Sequence, residues 1–159
     1  MTEVHTIPPV FDANSRILIL GSFPSVKSRE VGFFYGHPQN RFWRVLSSLY
    51  GEELPKTVDE KKTFLLSHNI ALWDVIASCE IEGSADSSIK QVEANEVERI
   101  LQNAPIERIY TNGATAHRLY ETYLQQRTGR AAIGLPSTSP ANAAWSLPRL
   151  LEAWSVLLP

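Results

Sequence analysis

Hydrophobic positions along this chain follow two periods. After Arg16, Ile17-Leu-Ile-Leu20 is an unbroken apolar run closed by Gly21, the pattern of a strand buried on both faces. Ile70 to Ile76 and Ile106 to Thr111 predict a second and a third strand, and Ala131 to Leu135 a short fourth. Between them the spacing turns helical. Phe42, Val45, Leu46 and Leu49 predict a helix opening just after Asn40. Thr57-Val-Asp-Glu60 has the capping-box pattern and starts a second helix running to about Asn69. Val97, Ile100 and Leu101 mark a third that stops before Pro105. A fourth follows Asn112-Gly113 to about Gln126, and the last uses Leu147, Leu150, Leu151, Trp154 and Leu158. The stretch from Gly21 to Asn40 and the polar stretch from Ala77 to Ser88, with its Gly83, predict loops.

Four strands alternating with helices predict an α/β domain with a parallel sheet and right-handed crossovers. In such sheets ligands bind beyond the carboxyl ends of the strands. Gly21-Ser-Phe-Pro-Ser25, Asp74 and Pro136-Ser-Thr-Ser-Pro140 all follow strand ends, so one cleft is expected to gather them.

Composition narrows the class. A length of 159 residues predicts one domain, residues 1–159. Hydrophobic content of 43% and charged content of 20% fit a globular chain. No apolar run is long enough to span a bilayer, and the start Met1-Thr2-Glu3-Val4-His5 lacks the basic and apolar regions of a secretion signal. One cysteine, Cys79, excludes internal disulfides and a four-cysteine iron–sulfur cluster. The expectation is a cytoplasmic, metal-free, cofactor-free monomer. Net charge is −2, so a nucleic-acid partner gets no support from the global field and must be held by local groups and backbone amides.

The stretch from Gly32 to Trp43 stands apart. It sets five aromatics, Phe33, Phe34, Tyr35, Phe42 and Trp43, around two glycines and a His37-Pro-Gln-Asn40 centre. Neither a strand nor a helix stripe accounts for aromatics in a loop. They predict a pocket wall on which a flat ligand stacks while amides read its edge, and a flipped nucleobase is such a ligand. Asn40 has two readings: a plain helix-start residue, or an amide offering one acceptor and two donors to a water and a base. Asp74 is a strand-end acceptor or a general base. Ser139 before Pro140 offers N-cap and N1 chemistry for a helix, to which a phosphate can be added. His37 reads as a loop hydrogen-bonder, and Lys27, Arg29, Arg41 and Arg44 as an ordinary solvated basic face.

Together these segments resemble the uracil-DNA glycosylase superfamily, most closely its hypoxanthine-DNA (deoxyinosine) glycosylase family. Gly21-Ser-Phe-Pro-Ser25 with Gly36-His-Pro-Gln-Asn-Arg-Phe-Trp43 is similar to the first, composite motif. Leu135-Pro-Ser-Thr-Ser-Pro-Ala-Asn142 is similar to the second. The resemblance implies a three-layer sandwich with a central four-stranded parallel sheet flanked by helices. It implies DNA as partner, and hydrolysis of the N-glycosidic bond of a deaminated base, hypoxanthine above all, in base-excision repair. Relatives carry a catalytic Asn or Asp in the first motif and a histidine opening the second. Phe23 and Leu135 stand at those positions here.

The resemblance therefore implies that Asn40 takes over water positioning, with Asp74 the second catalytic candidate. Tyr35 matches the ring that stacks on the flipped base, and Phe23, Gly21 and Ser22 complete the base-binding wall. Ser25, Ser137, Ser139 and Asn142 are expected at the DNA backbone. Ala141, Asn142, Ala143 and Ala144 are small, so a weak wedge into the duplex is expected unless Trp145 reaches it. The same residues permit three alternatives: a uracil glycosylase tolerant of several deaminated bases, a non-catalytic nucleic-acid-binding relative, and a hydrolase of free nucleosides.

Overall fold

In a computed structural model, which describes residues 2–82, 85 and 88–159, the elements follow one another as β1 (Thr2–Val4), β2 (Ile17–Gly21), α1 (Val26–Val31), α2 (Phe42–Tyr50), α3 (Val58–Ser67), β3 (Ile70–Asp74), β4 (Ile76–Glu80), β5 (Lys90–Ala94), α4 (Glu98–Asn103), β6 (Arg108–Asn112), α5 (Ala114–Tyr123), α6 (Gln125–Thr128), β7 (Ile133–Leu135) and α7 (Leu147–Trp154). The four expected strands form one parallel sheet in the order β3-β2-β6-β7. Every residue of β2 and of β3 is buried, as continuous apolar runs require in a sheet flanked by helices. Helix α3 packs on β3, α5 on β6 and β7, and α2 against α7. Helix α2 contributes Phe42, Trp43, Val45 and Leu46 to the core. The capping box is formed: Thr57 Oγ1 accepts from the Glu60 N–H, and Glu60 accepts from the Thr57 N–H.

The chain leaves β2 for β3 on one side and returns to place β6 on the other. That reversal opens a crevice at the carboxyl ends of β2, β3 and β6.

Several expectations are corrected. A second sheet exists, antiparallel, in the order β1-β4-β5. Residues 70–76 are not one strand: Asp74 ends β3 and Ile76 begins β4. Asn95 pins the change of sheet, its Nδ2 donating to the carbonyls of Asp74 (2.9 Å) and Ile76 (3.1 Å). The expected loop from Ala77 therefore begins as a strand, and Gly83 lies outside the described residues. The expected loop from Gly21 to Asn40 contains α1, capped by Ser25, whose Oγ accepts from the Ser28 N–H at 3.1 Å. Ser139 and Pro140 start no helix. The Ser139 hydroxyl accepts from the Ala141 N–H in a turn, and α7 begins only at Leu147, with Ser146 as its cap. Among the described residues no helix is long and apolar enough to cross a membrane.

Candidate active site

The crevice holds a cleft of about 490 Å³, within the usual size of small-ligand sites. Gly21 and Asp74 reach it from the ends of β2 and β3, Asn112 from the end of β6, and Ser137 to Ala141 from the loop after β7. The turn after β2 adds Ser22, Phe23, Pro24 and Ser25, and the aromatic loop adds Phe34, Tyr35, His37 and Asn40. Of the ten site residues singled out in the sequence, nine line this cleft. Asn142 does not. It lines an adjoining groove, where its Nδ2 donates to the Ser137 carbonyl at 3.0 Å and holds the loop.

Asn40 is held by two donors. Its Oδ1 accepts from the Phe42 N–H (2.9 Å) and from the Thr138 hydroxyl (2.9 Å). A backbone N–H can only donate, so the orientation of the amide is determined. Both lone pairs of Oδ1 are then engaged, and among the described residues Nδ2 donates to no protein group. What Asn40 offers a ligand in the cleft is a pair of N–H donors. Thr138 is fully buried, and its hydroxyl in turn accepts from Asn112 Nδ2 at 3.0 Å while Asn112 Oδ1 accepts from the Thr138 N–H at 3.1 Å. The sequence had not marked Thr138 or Asn112. For Asn112 a signal was present, an Asn-Gly pair closing a strand next to β2. For Thr138 it was blurred by two flanking serines.

Tyr35 sits in left-handed backbone conformation, φ 53°, unusual for a side chain with a Cβ and a form of strain concentrated at functional sites. One face of its ring stacks on Phe42, with centroids 4.1 Å apart. Its hydroxyl is buried and, among the described residues, has no partner within hydrogen-bond distance. Burial, and then the Asp74 carboxylate, push its pKa far above the ordinary phenol value, with the nearby Asn112 amide pulling the other way. Asp74 Oδ2 accepts from His5 Nε2 at 2.8 Å, and both side chains are almost wholly buried. Gly21 lies against this group. A Cβ there would stand 2.4 Å from Asp74 Oδ1 and 2.8 Å from the Tyr35 hydroxyl.

The remaining candidates have structural duties. Phe23 meets the His5 ring edge-on and carries the Arg29 guanidinium over its face. Ser25 caps α1, and Ser137 Oγ accepts from the Ser139 N–H at 3.1 Å. Leu135 is buried and outside the cleft lining. The basic residues near the site are engaged within the protein. Lys27 lies 3.8 Å from Glu30, Arg29 pairs with Glu3 at 3.2 Å, and Arg44 donates to the Pro38 carbonyl. Arg41 donates to the carbonyls of Ser139 and Asn142, both at 3.1 Å, and of Trp145. It is a clamp on the 136–145 loop and not a solvated charge. The Trp145 ring lies under the Arg149 guanidinium at 4.2 Å.

A four-stranded parallel sheet with flanking helices and an aromatic, amide-lined cleft at its switch point defines an α/β protein with a cleft of ligand size at the carboxyl ends of its strands. The chain belongs to the uracil DNA glycosylase superfamily, whose family model matches residues 8–158. It is 40% identical over 147 residues to the hypoxanthine DNA glycosylase of Methanosarcina acetivorans, covering 91% of this chain and 92% of that one. It is 39% identical to the hypoxanthine DNA glycosylase of Methanosarcina barkeri, covering 85% of each. Its fold matches the solution NMR structure of a Methanosarcina acetivorans protein described as a candidate uracil DNA glycosylase. The TM-score is 0.83 at 36% identity, over 99% of this chain and 97% of the other.

Proposed function

We propose that this chain, acting as one domain, is a monofunctional DNA glycosylase that hydrolyses the N-glycosidic bond of deoxyinosine in base-excision repair. One observation carries the reading. Tyr35, Asn40, Asp74 and Asn112 come from four separate segments, and all line a single cleft at the switch point of the sheet. Its relatives named as hypoxanthine DNA glycosylases support the choice of base. The protein works as a cytoplasmic monomer without metal or cofactor.

The deaminated nucleotide leaves the duplex and enters the cleft, a step that costs a few kcal/mol and is cheapest for a poorly paired base. Tyr35, backed by Phe42, stacks on it, and Gly21, Ser22 and Phe23 complete the wall. Ser25, Ser137, Ser139 and Asn142 approach the DNA backbone with hydroxyls and amides. Asn40 positions the water through Nδ2, because its oxygen is engaged. An N–H donated to one lone pair leaves the other free to attack C1′. The C1′–N9 bond breaks as the C1′–O bond forms, the base leaves with the bonding pair, and the water's proton ends on the base or solvent. An amide is not a base, so the barrier falls mainly by stabilising charge on the departing purine with oriented donors. Asp74, the alternative water base, is a less direct candidate because His5 holds one of its two oxygens.

Oligonucleotides carrying inosine, uracil or xanthine, treated with the protein and then with hot alkali, test the reading. Strand scission at inosine that requires alkali is expected. Faster scission at uracil favours the broad uracil glycosylase. Duplex binding with release of no base favours the non-catalytic relative suggested by Phe23 and Leu135.

A further inference from the structure

His5 precedes the segment that the family model matches, and nothing in the chemistry above uses it directly. Yet its side chain is 1% exposed and its Nε2 is 2.8 Å from Asp74 Oδ2, itself on a side chain 5% exposed. The imidazole is boxed by the rings of Phe23 (5.9 Å) and Phe34 (6.0 Å), and its backbone N–H is tied to the Ala77 carbonyl at 2.6 Å. A buried hydrogen bond between segments 69 residues apart holds one carboxylate oxygen, and among the described residues the other accepts from no protein group. That other oxygen, Oδ1, lies beside Gly21, and both residues line the cleft. An acceptor with no protein donor among the described residues thus stands in the lining of the cleft.

We infer that His5 is a positioning residue that holds Asp74 as the acceptor for the N1–H of the flipped base. Such an acceptor recognises the N–H of a lactam, O=C–N–H, and its assignment rests on the reading of the cleft as a hypoxanthine site. In adenine the polarity of the edge is reversed, and a carboxylate meets an unprotonated ring nitrogen, two acceptors face to face. A carboxylate has only acceptors to offer that nitrogen, whereas an amide at position 74 could turn its NH2 to it. The role of His5 is to keep Oδ1 aimed at the base rather than to touch it.

The test compares single-turnover base release from deoxyinosine and from deoxynebularine, the same purine ring with neither O6 nor N1–H, in otherwise identical duplexes. Wild type, His5→Ala and His5→Gln are measured, with thermal unfolding of each. In His5→Ala the preference for inosine over nebularine is expected to fall roughly ten- to a hundredfold, the scale of one hydrogen bond to a charged group. His5→Gln, which keeps an N–H donor, is expected to recover most of it. A structural role alone slows both substrates alike, so an unchanged ratio in folded His5→Ala overturns the inference. If His5→Ala does not fold, Asp74→Asn is read on the same ratio, and no change there overturns it equally. Wild-type protein that releases no hypoxanthine from DNA defeats the functional reading, and the inference with it. Wild-type release with unmoved ratios in the variants defeats the inference alone.

Discussion

The Thr138 hydroxyl donates to Asn40 Oδ1 at 2.9 Å while accepting from Asn112 Nδ2 at 3.0 Å. This directed chain runs from the end of β6, through the loop after β7, to the start of α2. It engages the Asn40 oxygen and presents the Asn40 nitrogen to the cleft. Thr138→Val keeps the shape and removes the hydroxyl, leaving Asn40 and Asn112 each short of a partner. Base release is expected to fall about tenfold or more, on the scale of 1–3 kcal/mol per unsatisfied buried group. Thr138→Ser is expected to retain activity. Single-turnover assays on an inosine duplex check both.

Gly21→Ala tests how tightly the cleft is closed at its inner end. The added Cβ meets Asp74 Oδ1 at 2.4 Å and the Tyr35 hydroxyl at 2.8 Å, so those groups must shift. Release of hypoxanthine is expected to drop by roughly tenfold or more, as for other displaced site groups. Circular dichroism is expected to show the fold retained.

How much of this was visible beforehand depends on the residues. The Ile17–Leu20 run and the Thr57/Glu60 box had strong local signals, and both elements formed as expected. The second sheet had none. Strand β1 has three residues, β5 is Lys-Gln-Val-Glu-Ala and largely exposed, and β4 continues the apolar run of β3 after a bend at Val75. Pairing between distant segments creates that sheet, and no period in the sequence encodes it. The site follows the same division. The place of Tyr35 and Asn40 in the cleft lining was legible because an aromatic cluster in a loop is unusual. His5 was not, because a lone histidine near a chain start announces nothing until β1 carries it to Asp74.

Tyr35→Phe separates stability from recognition. The variant deletes a buried hydroxyl that has no partner among the described residues, so stability is expected to rise by about 1 kcal/mol. Inosine excision is expected to stay near the wild-type rate, because the stacking ring is kept. The sign of the alkaline effect follows from the raised pKa. The folded state holds the phenol protonated beyond its ordinary value of 10.0, so that stability is present below about pH 10 and lost as pH rises above it. Tyr35→Phe is expected to reduce this alkaline loss in urea titrations. Tyr50 and Tyr120, also raised by burial, leave part of the slope in place.

Arg41→Lys tests the clamp on the 136–145 loop. A lysine keeps the charge but cannot span three carbonyls as the guanidinium does. The duplex concentration at half-saturation is expected to rise by roughly tenfold, the cost of about one lost hydrogen bond from a charged group. The rate at saturation is expected to fall less. Equilibrium binding and single-turnover kinetics, run together, separate the two.

The most direct measurement is the single-turnover release of hypoxanthine by Asn40→Ala from an inosine duplex, beside a circular dichroism spectrum of the same sample. A water-positioning role for Asn40 requires an intact fold and loss of most base release, by roughly a hundredfold or more, the scale of removing one well-placed donor from an active site. Excision at the wild-type rate by folded Asn40→Ala contradicts it.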